Sequence, residues 1–294
     1  MQVLDKNTTG NMPSANSAAD ALSIIIAAHN EELYIGPCLE ALLKQQGVIA
    51  SLTVIVAANA CTDQTEDLAR GYSGRFADRG WGLTILSIAQ AGKANALNCA
   101  DQVAMDTARI YLDADVICSP ELLGQLQEAL GIAEPTYATG TIHVMRAQSW
   151  VTRAYARFWV RLPFVQDGAV GAGLFAVNVA GRKRWGEFPS IISDDTFVRL
   201  TFAPHERIEV EAAYEWPMVE GFTNLVRVRR RQDAGVDEVN RLYPALMQND
   251  QKGSLSKSDL LKLFLQQPFN CAVYLCVHLA VRLRRGGDEW TRGR

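Results

Sequence analysis

Two aspartates, Asp113 and Asp115, stand where the apolar run 110–112 gives way to a Ser-Pro turn. Carboxylates at i and i+2 of a strand project from one face, about 6.5–7 Å apart. Two uncompensated charges there repel, and each favours its protonated form. A divalent cation removes the conflict, since Mg2+ or Mn2+ is commonly held by one or two carboxylates together with substrate phosphates. The plainer alternative makes Asp113 a cap for the helix that opens at Pro120 and Asp115 a solvated turn residue. A second acidic pair, Asp194 and Asp195, follows Ser193 in "SDDTF". It suits a helix start, and equally a general base that takes a proton from an attacking hydroxyl, with the adjacent like charge raising one pKa.

Other groups extend the same chemistry. Lys93 follows Gly92 at the mouth of a helical pattern, where backbone amides and an ammonium favour phosphate. No P-loop and no GxGxxG fingerprint stands at any strand end. The arginines 227, 229, 230 and 231 suit either a clamp for a diphosphate or anionic head group, or a solvated helix face. His205, after Pro204, offers a third metal ligand or a surface histidine, whereas His143 and His278 read as structural.

The elements that must position these groups alternate. Apolar, β-branched runs at 22–28, 52–58, 83–88 and 109–116 are each followed by a helical pattern. Four βα units in succession predict a mostly parallel central sheet flanked by helices. Ligands of such sheets bind beyond the carboxyl ends of the strands. Those ends carry His29, Asn30 and Glu31; then Asn59, Cys61, Thr62 and Asp63; then Gly92 and Lys93; then Asp113 and Asp115. Polar groups at four successive ends of nearly apolar strands point to a shared site. Beyond residue 135 the pattern predicts a strand at 136–145, an amphipathic helix at 149–162, a Gly-rich strand at 167–178, a helix opening on the acids and a strand at 207–216.

The chain has 294 residues and a formal net charge of −3, without the basic balance of a nucleic-acid binder. Its six cysteines are scattered with no CxxC pair, the usage of a reducing compartment. Residues 1–20 show no signal-peptide pattern and are expected to be a flexible tail. The division expected is this tail, a catalytic domain at 21–250 with halves at about 21–133 and 134–250, and a C-terminal helical extension at 251–294. The apolar run 269–281 is too short for a membrane-spanning helix. With Arg282, Arg284 and Arg285 beside it, the run suits peripheral membrane contact; packing on its own domain or on a second subunit is the alternative. The expected location is the cytoplasm, with the inner face of the cytoplasmic membrane as the place of contact.

In this order, the motifs resemble glycosyltransferase family 2, inverting enzymes of the GT-A fold. "SIIIAAHNEELYIGPCLEALLKQ" is similar to that family's first strand and helix, and "VIVAANACTDQTEDLAR" to its second strand and nucleotide-binding turn. "GKANALN", "YLDADV", "GAGLFAVN" and "ISDDTFVRL" resemble its Lys helix, DxD, acceptor-side strand and catalytic-base motif. The resemblance implies that Ala28, Asn30, Glu31, Asn59, Asp63, Lys93 and Asp113 bind the nucleotide. It implies Asp115, with Asp113, as ligands of Mn2+ or Mg2+, to which His205 is a candidate addition. Asp195 is then the first choice for the base and Asp194 the second; Gly171, Gly173, Arg229 and Arg231 face the acceptor or diphosphate. Ala27 and His29 replace the family's usual Pro and Tyr, and residues 58–61 replace its Asp-Asp-Gly-Ser. Arg231 and Gln232 stand where processive synthases carry Arg-Trp.

The activity so implied is transfer of one sugar from a nucleotide sugar, UDP-sugar before GDP-sugar, to a hydroxyl of a glycan or polyprenyl-diphosphate-linked acceptor. Bacterial exopolysaccharide or cell-surface glycan synthesis is the expected setting. A sugar nucleotidyltransferase is a rival, but "AAHNEE" lacks the Gly-rich basic loop that such enzymes carry after the first strand. A non-catalytic nucleotide-binding scaffold is the other rival, and retention of both acid pairs speaks against it.

Overall fold

The computed structural model describes residues 21–48, 51–104, 106–166, 168–250 and 257–283; the expected tail, Arg284 and Arg285 lie outside the described residues. The first half runs β1 (Ala21–Ala28), α1 (Ile35–Leu43), β2 (Ser51–Asn59), α2 (Thr65–Arg70), α3 (Ser73–Asp78), β3 (Gly82–Ile88), α4 (Lys93–Val103), β4 (Ala108–Asp113), β5 (Ile117–Cys118) and α5 (Leu122–Leu130). The second half adds β6 (Tyr137–Val144), α6 (Trp150–Trp159), α7 (Pro163–Gln166), β7 (Leu174–Val177), α8 (Val179–Arg182), α9 (Asp194–Leu200), β8 (Arg207–Trp216) and α10 (Phe222–Leu242). Two further helices, α11 (Lys257–Gln266) and α12 (Pro268–Leu283), follow.

All eight strands join one sheet in the order β3-β2-β1-β4-β7-β6-β8-β5, so the two halves share it. The first four strands pair in parallel, β7 runs antiparallel to β4 and β6, and β8 pairs parallel with β6. The expected mostly parallel α/β architecture with a C-terminal helical extension is therefore borne out. Alternate residues of β1 show why the strand is apolar throughout. Ile24 and Ile26 pack with α1 and α5, while Ile25 packs with α4 on the other face. A strand covered on both faces reads as a continuous hydrophobic run.

Three local expectations need correction. The helix read across 62–72 is two short helices that meet near Gly71, with α3 reaching Asp78. The Gly-rich strand shrinks to Leu174–Val177, because Ala169, Gly171 and Gly173 adopt φ of 43°, 63° and 76°, which no strand ladder accommodates. The strand that ends in Asp113 also stops there. Ala114 and Asp115 form a turn closed by the Val116 amide, which donates to the Asp113 carbonyl (3.2 Å), so the pleat does not bring the two carboxylates onto one strand face.

Sequence patterning does not disclose the charged group that fastens α4 to β4 and α8. The buried Asp101 carboxylate accepts hydrogen bonds from Tyr111 Oη (2.8 Å) and from Arg182 (2.7 and 3.0 Å), and pairs with Arg109 Nε at 3.2 Å. The guanidinium of Arg182 also lies 4.6 Å from the Trp185 ring centroid. Removing the one anion strands two desolvated cations. Asp101→Ala is therefore expected to lower unfolding free energy by about 3–5 kcal/mol, measured by denaturant titration; a loss below about 1 kcal/mol would refute the assignment.

Candidate active site

Chain order reverses between β1 and β4: the first crossovers run outward to β2 and β3, and the chain then returns to the other side of β1. A topological switch point of this kind leaves a crevice beyond the strand ends. A cavity of about 170 Å³ occupies that position. Ala27 of β1 and its register partner Asp113 of β4 form its floor, together with Gly173. The walls come from Lys93 at the start of α4, Asp194 and Asp195 at the start of α9, Trp216 at the end of β8, and Arg231 on α10.

Lys93 joins three of these elements. Its Nζ lies 3.2 Å from Asp113 Oδ1 and 3.1 Å from Asp194 Oδ2. Burial alone would push the ammonium toward neutrality; the surrounding Asp113, Asp194 and Asp195 carboxylates outweigh it and raise the lysine well above its ordinary value. Asp195 differs from its neighbour. It has no ion pair among the described residues, and its Oδ1 accepts the Thr196 amide at 2.6 Å. Burial first, then the adjacent Asp194 charge, pushes its carboxyl up to about 6 against the partial relief given by Lys93.

Gly173 is required where it stands. Its φ is +76°, and a Cβ there would come within 2.8 Å of the Trp216 ring and 2.9 Å of Val116. Its carbonyl accepts the Asp113 amide at 2.8 Å, so the same residue orients the end of β4. Gly171, at φ +63°, has no room for a side chain either, since a Cβ would run into the Tyr137 hydroxyl. Trp216 in turn stacks on Trp159 of α6, with centroids 5.8 Å apart.

The other residues singled out on the nucleotide side form a latched pair of loops beyond β1 and β2. Asn30, at φ 52°, accepts the Thr62 amide through Oδ1 (2.7 Å) and donates from Nδ2 to Thr62 Oγ1 (3.2 Å). The Glu31 amide donates to Thr65 Oγ1, and Asp63 accepts from Thr65 and from the Glu32 amide. Burial would raise the Asp63 carboxyl, but these hydrogen bonds prevail and hold it below its ordinary value. Asn59 is buried, and its Oδ1 has no hydrogen-bond partner among the described residues. Ala28 is the buried last residue of β1.

Thus Lys93, Asp113, Asp194, Asp195, Gly173 and Arg231 are brought to one cavity, and Ala28, Asn30, Glu31, Asn59 and Asp63 to the adjoining loops. Asp115 sits in the turn two residues past Asp113. His205 and Arg229 are not brought in. His205 is exposed just before β8, whereas the cavity is at the Trp216 end, roughly 30 Å away at about 3.3 Å per residue. Arg229 is turned to Gln232 and Asp233 on its own helix. No group of three or more His, Cys, Asp or Glu poised for a metal occurs among the described residues. The donors at hand are two carboxylates, the hard oxygen set that Mg2+ or Mn2+ shares with a substrate diphosphate. Asp113 pairs with Lys93 and Asp115 is not among the residues lining the cavity, so it is in donor type alone that they suit a cation completed by substrate. Gln232, set beside Arg231 in the sequence reading, also lines the cavity, and Trp216 and Tyr111 line it without having been marked in the sequence; a tryptophan closing an otherwise alternating strand was the available signal.

A parallel half-sheet ending in this cavity, extended by a second half in which β7 runs antiparallel and helix α9 carries the second acid pair, is a GT-A-type fold. The model of glycosyl transferase family 2 matches residues 23–181, more than half of the chain, and the chain belongs to that family. Asp194 and Asp195 lie beyond the matched span. Among solved structures, the chain is similar to the mannosyltransferase PcManGT from Pyrobaculum calidifontis, in complex with GDP-Man and Mn2+. Identity is 18%, 90% of this chain and 76% of that one are covered, and the TM-score is 0.57. It is also similar to S. aureus TarS 1-349, at 14% identity, 88% and 72% coverage and a TM-score of 0.52. At these identities the likeness speaks for the fold. No match was found among curated proteins.

The elevated Asp195 pKa has a measurable cost. Because the folded value exceeds the unfolded one, the stability this group contributes is present below about pH 4 and is lost as pH rises through about 6. Asp195→Asn should therefore raise stability at pH 8 by about 1–3 kcal/mol, a gain that disappears near pH 4. Thermal unfolding at both pH values checks this, and a variant less stable than the parent at pH 8 would contradict it.

Proposed function

We propose that the chain is an inverting, non-processive glycosyltransferase that moves one sugar from a nucleotide sugar to an acceptor hydroxyl. The observation that carries this reading is the convergence of Lys93, Asp113, Asp194 and Asp195 on one cavity at the strand switch point. The uracil or guanine base and its ribose lie over the latched loops, where the unpartnered Asn59 Oδ1 offers a buried acceptor. Both UDP- and GDP-sugars remain candidates, since GDP-Man and Mn2+ are named for the mannosyltransferase neighbour. The sugar and diphosphate extend toward Lys93 and Arg231.

Asp195 takes the proton of the acceptor hydroxyl as the acceptor oxygen bonds to the anomeric carbon. The bond from that carbon to the diphosphate oxygen breaks on the opposite face, and the nucleoside diphosphate leaves. Lys93 and Arg231 offset charge that grows on the leaving group, and their fixed placement costs no reorganisation during reaction. Lys93 also holds Asp194, which leaves Asp195 as the carboxylate free to accept a proton. A divalent cation held by Asp115 and Asp113, Mn2+ or Mg2+, supplies further charge neutralisation at the diphosphate when bound. The aromatic residues of α6, with Trp159 stacked on Trp216, support a glycan or lipid-linked oligosaccharide as acceptor, in a step of bacterial cell-surface or exopolysaccharide synthesis.

A panel of UDP- and GDP-sugars, assayed with Mn2+ for release of the nucleoside diphosphate, tests the reading. Asp195→Asn is expected to reduce turnover at least about a hundredfold while nucleotide affinity changes little. The activity of the parent should fall as pH drops through about 6, because a protonated Asp195 cannot act as base. Near-normal turnover in the variant would move the base elsewhere. Pyrophosphate release from an NTP and a sugar phosphate would instead mark a nucleotidyltransferase, and binding without turnover a scaffold.

A further inference from the structure

One face of α12 packs inward. Cys271 and Val277 are buried, and Tyr274 lies against Tyr155 and Phe158 of α6 with centroids 5.2 and 4.8 Å apart. Arg230 of α10 donates to the Ala280 and Val281 carbonyls near the end of α12. This realises the packing alternative for the C-terminal run, but for one side of the helix only. The opposite stripe recurs at helical spacing and remains in solvent: Phe269 is 61% exposed, Leu275 45%, Leu279 55% and Leu283 82%. Two more apolar side chains widen the surface. Trp150, 58% exposed, has its ring centroid 5.8 Å from that of Phe269, and Leu265 of α11 is 69% exposed.

The charge around this stripe selects its partner. From residue 260 to residue 287 the sequence contains no aspartate or glutamate, but it has Lys262, Arg282, Arg284 and Arg285. A second copy of this face would set that basic segment against itself, like charge against like. Anionic lipid complements both parts, the apolar row entering the acyl boundary and the cations facing phosphate. No helix among the described residues is long and apolar enough to cross a membrane, so the contact is lateral.

We propose that the outer face of α12, with Trp150 and Leu265, docks on an anionic phospholipid bilayer. The surface belongs to the same packed helices that wall the cavity, α6 through the Trp159–Trp216 stack and α10 through Arg231. Docking there sets the cavity beside the bilayer, where a lipid-linked acceptor is presented. The purpose rests on the transfer reading above; the binding does not, and the experiment reads binding alone.

Full-length protein is floated with phosphatidylglycerol/phosphatidylcholine vesicles and with pure phosphatidylcholine vesicles. Flotation is expected with the anionic vesicles, weakened by salt, and much less with the zwitterionic ones. The double variant Leu275→Glu/Leu279→Glu should lower the floated fraction at least about tenfold, with unchanged circular dichroism and nucleotide-sugar turnover. Should it misfold, Leu283→Glu at the most exposed position replaces it. Absence of wild-type flotation, or flotation that survives the folded variant, overturns the proposal. So does a wild-type dimer that the variant makes monomeric while vesicles have no effect, which would assign the face to a second copy. A protein that floats but turns over no sugar nucleotide leaves this inference standing and removes only the transfer reading.

Discussion

The ammonium of Lys93 between Asp113 and Asp194 is the contact around which the site is organised. It ties the start of α4 to the end of β4 and to the start of α9, segments separated by up to about a hundred residues of chain. Without a cation in that position, Asp113, Asp194 and Asp195 would crowd one crevice with like charge. The lysine relieves two of them by direct contact and leaves the third exposed to the field of its neighbour. The difference in surroundings between Asp194 and Asp195 thus follows from where a single side chain reaches, although the two aspartates are adjacent and chemically identical.

Everything nearby can be understood as support for that placement. Gly173 orients the strand end that carries Asp113, and the β1–β4 register sets Ala27 opposite it. The Asp101 group holds α4, and therefore Lys93 at its start, to the sheet. The latch between Asn30 and Thr62 keeps the first two loops together at the rim. Many polar residues here position one another through hydrogen bonds and ion pairs.

The sheet's parallel half was legible because strands buried on both faces must be apolar, and their polar ends then stand out. Lys93 and Asp113 were marked in this way and Asp194 and Asp195 as an acidic pair at a helix start, and the resemblance to the family implied roles for them. Less was visible where structure depends on packing between distant segments. Trp216 becomes a cavity wall only when β8 pairs with β6, and the tryptophan at the strand's end does not by itself specify that pairing. His205, read as either a third metal ligand or a surface histidine, takes the surface placement, because α9 carries the chain away from the acid pair before it. The short Gly-rich strand was overestimated because its alternation is apolar, and left-handed glycines leave no trace in a hydrophobicity pattern. The arginine run proved to be divided: Arg231 reaches the cavity, Arg230 holds α12, and Arg229 stays on its own helix.

Gly173 has a consequence that reaches beyond this one molecule. Its backbone conformation, the direction of the neighbouring strand and the free volume under Trp216 all depend on one missing carbon atom. Natural selection for a folded sheet and selection for an open cavity therefore act on the same atom, and variation at this position cannot satisfy one at the expense of the other. Change in ligand preference is left to the surrounding walls, where the side chains of Trp216, Gln232 and Arg231 meet the cavity.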